Sequence, residues 1–148
     1  MQEKIEYGKK ACACAVSLDL LGDRWTLILI RDLFRGLNKF SQFLNESSEG
    51  IASNTLVDRL KKLTALGIIN FKRKESDKKV KEYYLTDKGI DLYPLIYELQ
   101  QWSIKHVDFK FKPGTEAFVN LTKQFSTPEL INEYQTSYKK ARLEQFGF

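Results

Sequence analysis

Residues 51–89 have the sequence IASNTLVDRLKKLTALGIINFKRKESDKKVKEYYLTDKG, and their hydrophobic period changes at Gly67. Before Gly67, leucines recur at three- and four-residue steps, which predicts a helix that begins at Ser53 or its neighbour. After Gly67, two β-rich runs, 68–74 and 80–85, are separated by a polar, charged connection, a pattern typical of a β-hairpin. The stretch therefore predicts a helix that is followed directly by a two-stranded hairpin.

Positive charge is concentrated in the same part of the chain. The sequence has 24 basic and 19 acidic residues, a net charge of +5. Residues 53–84 hold nine basic and four acidic residues, so about a fifth of the chain carries the whole excess. Such concentration is typical of a surface that binds a polyanion, but a solvated, lysine-rich loop would have the same composition. Charge alone does not choose between these interpretations.

Three further helices are predicted before this stretch. The pattern of residues 12–35 indicates two helices, separated by Gly22 as a breaker and Asp23 as the N-cap of the second. The second helix is too apolar for a surface helix, so we expect it to be buried on most sides. Residues 38–44 form a short third helix with one apolar face.

The second half of the chain is also mainly helical in pattern. A long helix is predicted over 86–107, and Pro94 should kink or restart it because proline has no backbone N–H. The Pro113–Gly114 pair predicts a turn. Ser126 stands three residues before Glu129, a spacing that favours the start of a last helix.

Composition excludes several classes of protein. No apolar run approaches the roughly 18 residues of a membrane span, and the N-terminus has no signal-like apolar core, so we expect a cytoplasmic protein without membrane contact. Cys12 and Cys14 are too close together to staple a secreted fold, and His106 is the only histidine. A structural zinc site and a histidine-dependent hydrolase are therefore not expected. We predict no catalytic residues, metal or cofactor.

The predicted helix and hairpin are together suited to binding double-stranded DNA. A helix fills the DNA major groove with its N-terminal residues at the base edges, and a hairpin reaches the adjacent backbone as a wing. The candidate DNA-contacting residues on these elements are Ser53, Asn54, Thr55, Arg59, Arg73, Lys78, Lys79 and Lys81. The alternative interpretations are helix capping by one of the first three residues, and a surface ion pair of Arg59 with the neighbouring Asp58 or with glutamates elsewhere in the chain.

Short motifs in a fixed order support this interpretation along residues 12–107. They are Cys12, LDLLGDRWTL at 18–27, RDL at 31–33, FS at 40–41, IASNTL at 51–56, RL at 59–60, Leu63, LGI at 66–68 and YLTDKG at 84–89. In these positions the sequence resembles the HxlR-type bacterial transcription regulators, relatives of the multiple-antibiotic-resistance repressors. Asp23 departs from the family, where a glycine is common at this position. The matched FS pair adds Ser41 to the candidate DNA contacts.

The resemblance implies a cytoplasmic winged-helix homodimer that binds an inverted repeat in double-stranded DNA near a promoter. The predicted fold class is mainly α with a small β-hairpin (α+β), a winged helix-turn-helix with an added C-terminal helical tail. Residues 1–108 would form the DNA-binding and dimerisation domain, and residues 109–148 a helical extension packed on it. The chain before Asp19 and the helix 86–107 are the candidate dimer interface, and the tail helix would cover either the partner or its own subunit.

Cys12 has a second implied role, since several members of this family use the matching cysteine as a redox or electrophile sensor. Lys9 and Lys10 lie nearby in sequence and would favour a thiolate. An unpaired cysteine is also often inert packing inside a core, which is the alternative interpretation of Cys12. The sequence identifies no small-molecule effector.

Three classes of function compete for these features. The first is a sequence-specific DNA-binding transcriptional regulator, in which Cys12 adds a response to oxidants or electrophiles. The second is a winged-helix scaffold that binds protein without specific DNA binding, and the third is a thiol enzyme that uses Cys12 or Cys14. The positive charge confined to residues 53–84 favours the first class.

Overall fold

The computed structural model describes residues 12–148, which form eight helices and one two-stranded sheet. The helices are α1 Ala13–Leu21, α2 Arg24–Phe34, α3 Phe40–Asn45, α4 Ser53–Ala65, α5 Asp87–Ile90, α6 Tyr93–His106, α7 Pro113–Gln124 and α8 Thr127–Phe146. The strands are β1 Ile69–Lys74 and β2 Asp77–Leu85. This order confirms the predicted class, mainly α with a small β-hairpin. No helix in this part of the chain combines the length and apolarity needed to cross a membrane.

The junction between α1 and α2 forms as the sequence predicts. Gly22 ends α1, and its N–H donates to the Leu18 carbonyl at 2.7 Å. A Cβ atom at Gly22 would lie 2.3 Å from that carbonyl oxygen, so a larger residue does not fit here. Asp23 then caps α2, because its carboxylate accepts hydrogen bonds from the backbone N–H of Thr26, at 3.0 Å, and from the Thr26 hydroxyl.

The hydrophobic core lies between α2, α3, α4, α5 and the hairpin. Its fully buried side chains include Leu29, Ile30, Leu33, Phe43, Leu56, Leu63, Ile69, Leu85 and Ile90. The prediction that α2 is buried on most sides is confirmed, since Arg24 is the one exposed residue of that helix. On α4 the leucines at three- and four-residue steps point into this core, which leaves the opposite face of the helix in solvent.

The hairpin begins directly after α4, because Gly67 takes the left-handed conformation (φ +71°) that lets the chain reverse. Its strands are antiparallel, with β2 starting at Asp77, three residues earlier than the sequence predicts. The pairing register shifts next to Arg73, and Lys78 and Lys79 lie in the shifted part. Hydrophobic alternation could not mark this end of β2 because the hairpin tip is solvent-exposed and entirely polar.

The predicted helix 86–107 is two helices in the structure, α5 and α6. Thr86 caps α5 by accepting a hydrogen bond from the N–H of Gly89 at 3.3 Å. Pro94 stands in the first turn of α6, where a missing N–H costs nothing. Of the two outcomes predicted for Pro94, the structure therefore has the restart and not the kink.

The prediction of a turn at Pro113–Gly114 was wrong, because Pro113 is the first residue of α7. The fixed φ of proline suits the first helical position as well as it suits a turn. The last helix begins where predicted, and the Ser126 hydroxyl caps α8 by accepting from the N–H of Glu129 at 3.3 Å.

Helix α8 packs against the rest of the same chain. The Tyr134 ring stacks on Tyr93 of α6 at 4.9 Å, and the Tyr138 hydroxyl accepts a hydrogen bond from the N–H of Leu85 at 2.8 Å. Arg142 donates to the carbonyl of Leu85 at 3.0 Å. These contacts connect the tail to the end of β2 and to α6.

Candidate nucleic-acid interface

A cleft of about 720 Å³ lies between α3, α4 and the hairpin. Its floor is apolar and includes Phe40, Val57 and Phe71. Four lysines line it, and no acidic residue of the described chain does: Lys39, Lys61, Lys79 and Lys81. The cleft thus presents uncompensated positive charge beside an exposed helix, the arrangement that a phosphate backbone requires.

Three of the residues predicted from the sequence come together at this cleft. They are Ser41 at the start of α3, and Lys79 and Lys81 on β2. Lys81 is held over the ring of Phe71, with its Nζ 4.4 Å from the ring centre. The hairpin therefore holds this cation close to the exposed face of α4.

The other two predicted hairpin residues lie at the tip. Arg73 donates from Nη1 to the carbonyl of Lys78 at 3.1 Å, and both side chains are accessible to solvent. The guanidinium of Arg73 also lies 5.9 Å from the centre of the Phe71 ring. The tip thus carries two more cations next to the cleft without any acidic partner within ion-pair distance among the described residues.

The first turn of α4 is exposed and polar. The N-cap is Ala52, whose side chain cannot accept a hydrogen bond, so Ser53 and Thr55 are not capping residues here. Asn54 makes a local bond, accepting from the N–H of Thr55 at 3.0 Å. Its amide group and the two hydroxyls remain available for other partners within the described part of the chain.

Arg59 is in the ion pair that the sequence left as the alternative. Its Nη1 donates to Asp58 at 2.5 Å, and its Nε donates to Asp23 at 2.9 Å. Lys62 donates to the same Asp23 carboxylate at 3.1 Å, so this one carboxylate connects α2 to α4. Whether Arg59 also contacts DNA stays a prediction.

The pKa of the Asp23 side chain is lowered by its surroundings. Partial burial alone would raise the pKa of Asp23, but hydrogen bonds from Arg59, Thr26 and Lys62 outweigh it and hold the pKa well below its usual range. The hydrogen bond to Asp23 is also the main reason that the pKa of Arg59 is raised. The Asp23 carboxylate therefore remains ionised at every physiological pH.

Sequence reasoning missed Lys39 as part of the site. The residue precedes α3 and is distant in sequence from the hairpin, and only tertiary contacts bring the two together. Lys39 forms a β-bridge with Glu82, and the N–H of Tyr83 donates to the carbonyl of Asn38 at 2.7 Å. No local sequence pattern predicts such a bridge. Lys61, in contrast, could have been predicted as part of the site from its position on the outer face of α4.

Cys12 stands at the N-cap of α1 with its side chain exposed. The nearby backbone N–H groups of Ala15 and Cys14, at the start of α1, lower the pKa of the Cys12 thiol. The alternative of a cysteine packed in the core does not fit this exposure. Lys9 and Lys10, the predicted neighbours, lie outside the described residues.

Within residues 12–148, no three His, Cys, Asp or Glu side chains come together as a metal site.

A three-helix arrangement with a basic hairpin beside an exposed helix defines a winged helix-turn-helix protein. Residues 20–111 match the family model described as HxlR-like helix-turn-helix, and the chain belongs to this family, as the sequence predicts. An uncharacterized HTH-type transcriptional regulator of Mycobacterium tuberculosis is 33% identical over 115 residues, 78% of this chain and 72% of that protein. The chain is therefore a transcriptional regulator of the helix-turn-helix type.

Two solved structures are each similar to about two thirds of this chain. The oxidised form of the redox regulator HypR has a TM-score of 0.58 and 27% identity, covering 66% of this chain and 100% of that one. The reduced form of the transcriptional regulator YodB from Bacillus subtilis has a TM-score of 0.55 and 28% identity, covering 67% and 97%. Helices α7 and α8 lie beyond the residues that match the family model.

Proposed function

We propose that this chain is a sequence-specific DNA-binding transcriptional regulator that acts as a homodimer on an inverted-repeat operator. The observation that carries the proposal is the four-lysine cleft between α4 and the hairpin. Helix α4 enters the major groove with Ser53, Asn54 and Thr55 near the base edges. The hairpin follows the phosphates of the adjacent backbone as a wing.

The remaining candidate residues contact the backbone in this arrangement. Ser41, Lys79 and Lys81 face the strand that lies in the cleft, while Arg73 and Lys78 reach the next phosphates from the hairpin tip. Arg59 joins the interface only if a phosphate or a guanine replaces one of its two carboxylate partners.

The DNA-binding and dimerisation functions belong to residues 1–108, and residues 109–148 are an extension packed on that domain. The packing contacts of Tyr138 and Arg142 with Leu85 support this division. Selection of bound duplexes from a random pool tests the function as a whole. An inverted repeat with half-sites roughly 34–36 Å apart is expected, and selection of unrelated sequences would favour a scaffold without specific DNA binding.

Replacing both Lys79 and Lys81 with alanine should weaken binding to every DNA sequence, by roughly tenfold near physiological salt. Each phosphate contact releases counterions from the DNA and contributes about 0.9 to the slope of log K against log salt concentration. Loss of two contacts should therefore make the slope shallower by about 1.8. Fluorescence anisotropy with a random duplex over a range of salt concentrations measures both quantities.

The matched control is the pair Lys139→Ala and Lys140→Ala on α8. Both side chains are exposed and remote from the cleft, so the net charge changes equally without loss of a proposed contact. Equal losses in the two double variants would mean that net charge, and not the cleft, determines DNA affinity.

An apolar face of α6 that stays exposed in the described part of the chain supports a homodimer. Tyr93, Ile96 and Tyr97 point inward and are buried. The opposite face carries Leu99 and Trp102, of which the indole is 62% exposed. A second copy of this chain, related by a two-fold axis, would cover that face and place two α4 helices on successive turns of the duplex.

The redox response is proposed for Cys12. Support comes from its exposure, from its lowered pKa and from the likeness to a protein whose structure is described as that of a redox regulator. Cys12 and Cys14 are two residues apart, an awkward geometry for a bond within one chain. Two Cys12 thiols from the two subunits would instead give up two electrons and two protons to an oxidant and form one disulfide.

Diamide, which takes up those electrons and protons as it becomes the hydrazine, should change operator affinity in the wild-type protein. Cys12→Ser should abolish the change because the thiolate is the reacting group, and Cys14→Ser should retain it. Anisotropy titrations before and after treatment, with the modified residue identified by mass spectrometry, provide the measurement. A Cys12 thiol that stays unmodified while Cys14 reacts would contradict the assignment.

A further inference from the structure

A second cavity lies between the end of α2 and the tail, and Tyr83 lines both this cavity and the four-lysine cleft. Its volume is about 670 Å³, within the range of roughly 300–1,000 Å³ that is typical of small-molecule sites. Six aromatic side chains line it: Phe34, Tyr83, Phe125, Tyr134, Tyr138 and Phe146. Most of one wall belongs to α8, which lies outside the residues that match the family model.

Arg35 supplies an unpaired positive charge at this cavity. It stands at the end of α2, next to Gly36, whose left-handed conformation (φ +94°) turns the chain. Among residues 12–148, no side chain and no carbonyl lies within hydrogen-bond or ion-pair distance of its guanidinium. Its side chain is exposed, but partial desolvation by its neighbours, with repulsion by Arg31, lowers the pKa of Arg35, so a nearby anion would stabilise the charged form.

The other charges of the lining already have partners. Arg142 donates to the carbonyl of Leu85 at 3.0 Å and to the carboxylate of Asp87 at 2.8 Å. Glu129 and Glu133 each accept a hydrogen bond from a serine hydroxyl at 3.0 Å, and both side chains are exposed. Among the described residues that line the cavity, the cation without an ion-pair or hydrogen-bond partner is therefore Arg35, at the end of α2.

Aromatic walls favour a flat, apolar ligand, and one free guanidinium favours a single acidic group on it. We propose that this cavity binds an aromatic acid with two or more rings, whose acidic group lies at Arg35 and whose rings lie against Phe34 and Tyr134. The volume is too large for a single ring to fill. This inference does not depend on DNA binding.

A matched pair of fluorescent probes tests the ligand class on the free protein. The acid is 8-anilinonaphthalene-1-sulfonate, and N-phenyl-1-naphthylamine is its uncharged parent; both brighten in apolar surroundings. We expect saturable binding of the sulfonate. Arg35→Gln should weaken it about tenfold, as the loss of one charge-assisted hydrogen bond predicts, and should leave the affinity for the amine unchanged. An equal affinity of wild type and Arg35→Gln for the sulfonate, or no saturable binding, would overturn the proposal.

The place of binding is tested by filling the cavity. Ala141 lines it and is exposed, so Ala141→Trp should block both probes without disturbing the core. Its control is Lys140→Trp, the next residue along α8, which does not line the cavity and should bind both probes like the wild type. Leu99→Asp tests the exposed face of α6, where an apolar probe could also bind. Binding that survives Ala141→Trp, or that disappears in Leu99→Asp, would overturn the assignment to this cavity.

Discussion

Replacing Arg31 with methionine is expected to lower the free energy of unfolding by about 3 kcal/mol, because it leaves a buried carboxylate without its partner. The Arg31 guanidinium binds Glu49 with two hydrogen bonds of 2.6 Å each and Asp32 with bonds of 2.8 and 3.1 Å. The Asp32 side chain is only 2% exposed, and Ser47 is its other donor, at 2.7 Å. Chemical denaturation monitored by circular dichroism measures the loss.

Arg24→Met is the matched control for this substitution. It removes the same charge from the same helix, but Arg24 is exposed and lies 4.8 Å over the ring of Trp25. We therefore expect a loss of about 1 kcal/mol or less. Similar losses for Arg24→Met and Arg31→Met would contradict the interpretation that the buried Asp32 carboxylate causes the effect.

The same cluster makes stability depend on pH. The hydrogen bonds from Arg31 hold the pKa of Glu49 at about 2, whereas an unfolded glutamate titrates near 4.3. The stabilisation is therefore complete above about pH 5 and is lost as the pH falls toward 2. Glu49→Gln should flatten the acid side of the stability profile but not remove its slope, because the pKa of Asp23 is also held below its usual range.

The elements with local signals could be predicted from the sequence. The leucine period of α4, the turn at Gly67 and the cap at Asp23 each follow from neighbouring residues, and the structure has all three. Pro113 shows where local signals fail, because proline fits a turn and a helix start equally well. The choice between them depends on packing against α8 and α6, which no short window contains.

The candidate site also has one part that local sequence predicts and one part that depends on tertiary contacts. The basic hairpin could be predicted from the distribution of charged residues, because that count does not depend on where each strand or helix begins and ends. The ion pair between Arg59 and Asp23 joins residues 36 positions apart, and the β-bridge of Lys39 with Glu82 spans a similar distance in sequence. Such pairs depend on how α2, α3 and β2 pack together in the core. A sequence pattern could therefore predict Arg59 as a DNA-contacting residue, but it could not show its carboxylate partners.

Leu99→Asp is expected to convert the proposed dimer to a monomer at micromolar concentration. Leu99 and Trp102 lie on the exposed face of α6, three residues apart, and both are large and apolar. Between two subunits the new carboxylate would be buried without a partner, at a cost of several kcal/mol. A loss of about 3 kcal/mol corresponds to a dissociation constant roughly 150-fold weaker. Sedimentation equilibrium measures the change.

The control for this substitution is Leu143→Asp on α8. Leu143 is also exposed, at 57%, but it lies away from α6, so the same chemical change should leave the dimer intact. Thermal unfolding of both variants should show that each protomer still folds, since neither leucine belongs to the buried core. A dimeric Leu99→Asp would place the interface on another surface. A wild-type protein that is monomeric at micromolar concentration would contradict the dimer itself, and two-fold recognition of an inverted repeat would then fail with it.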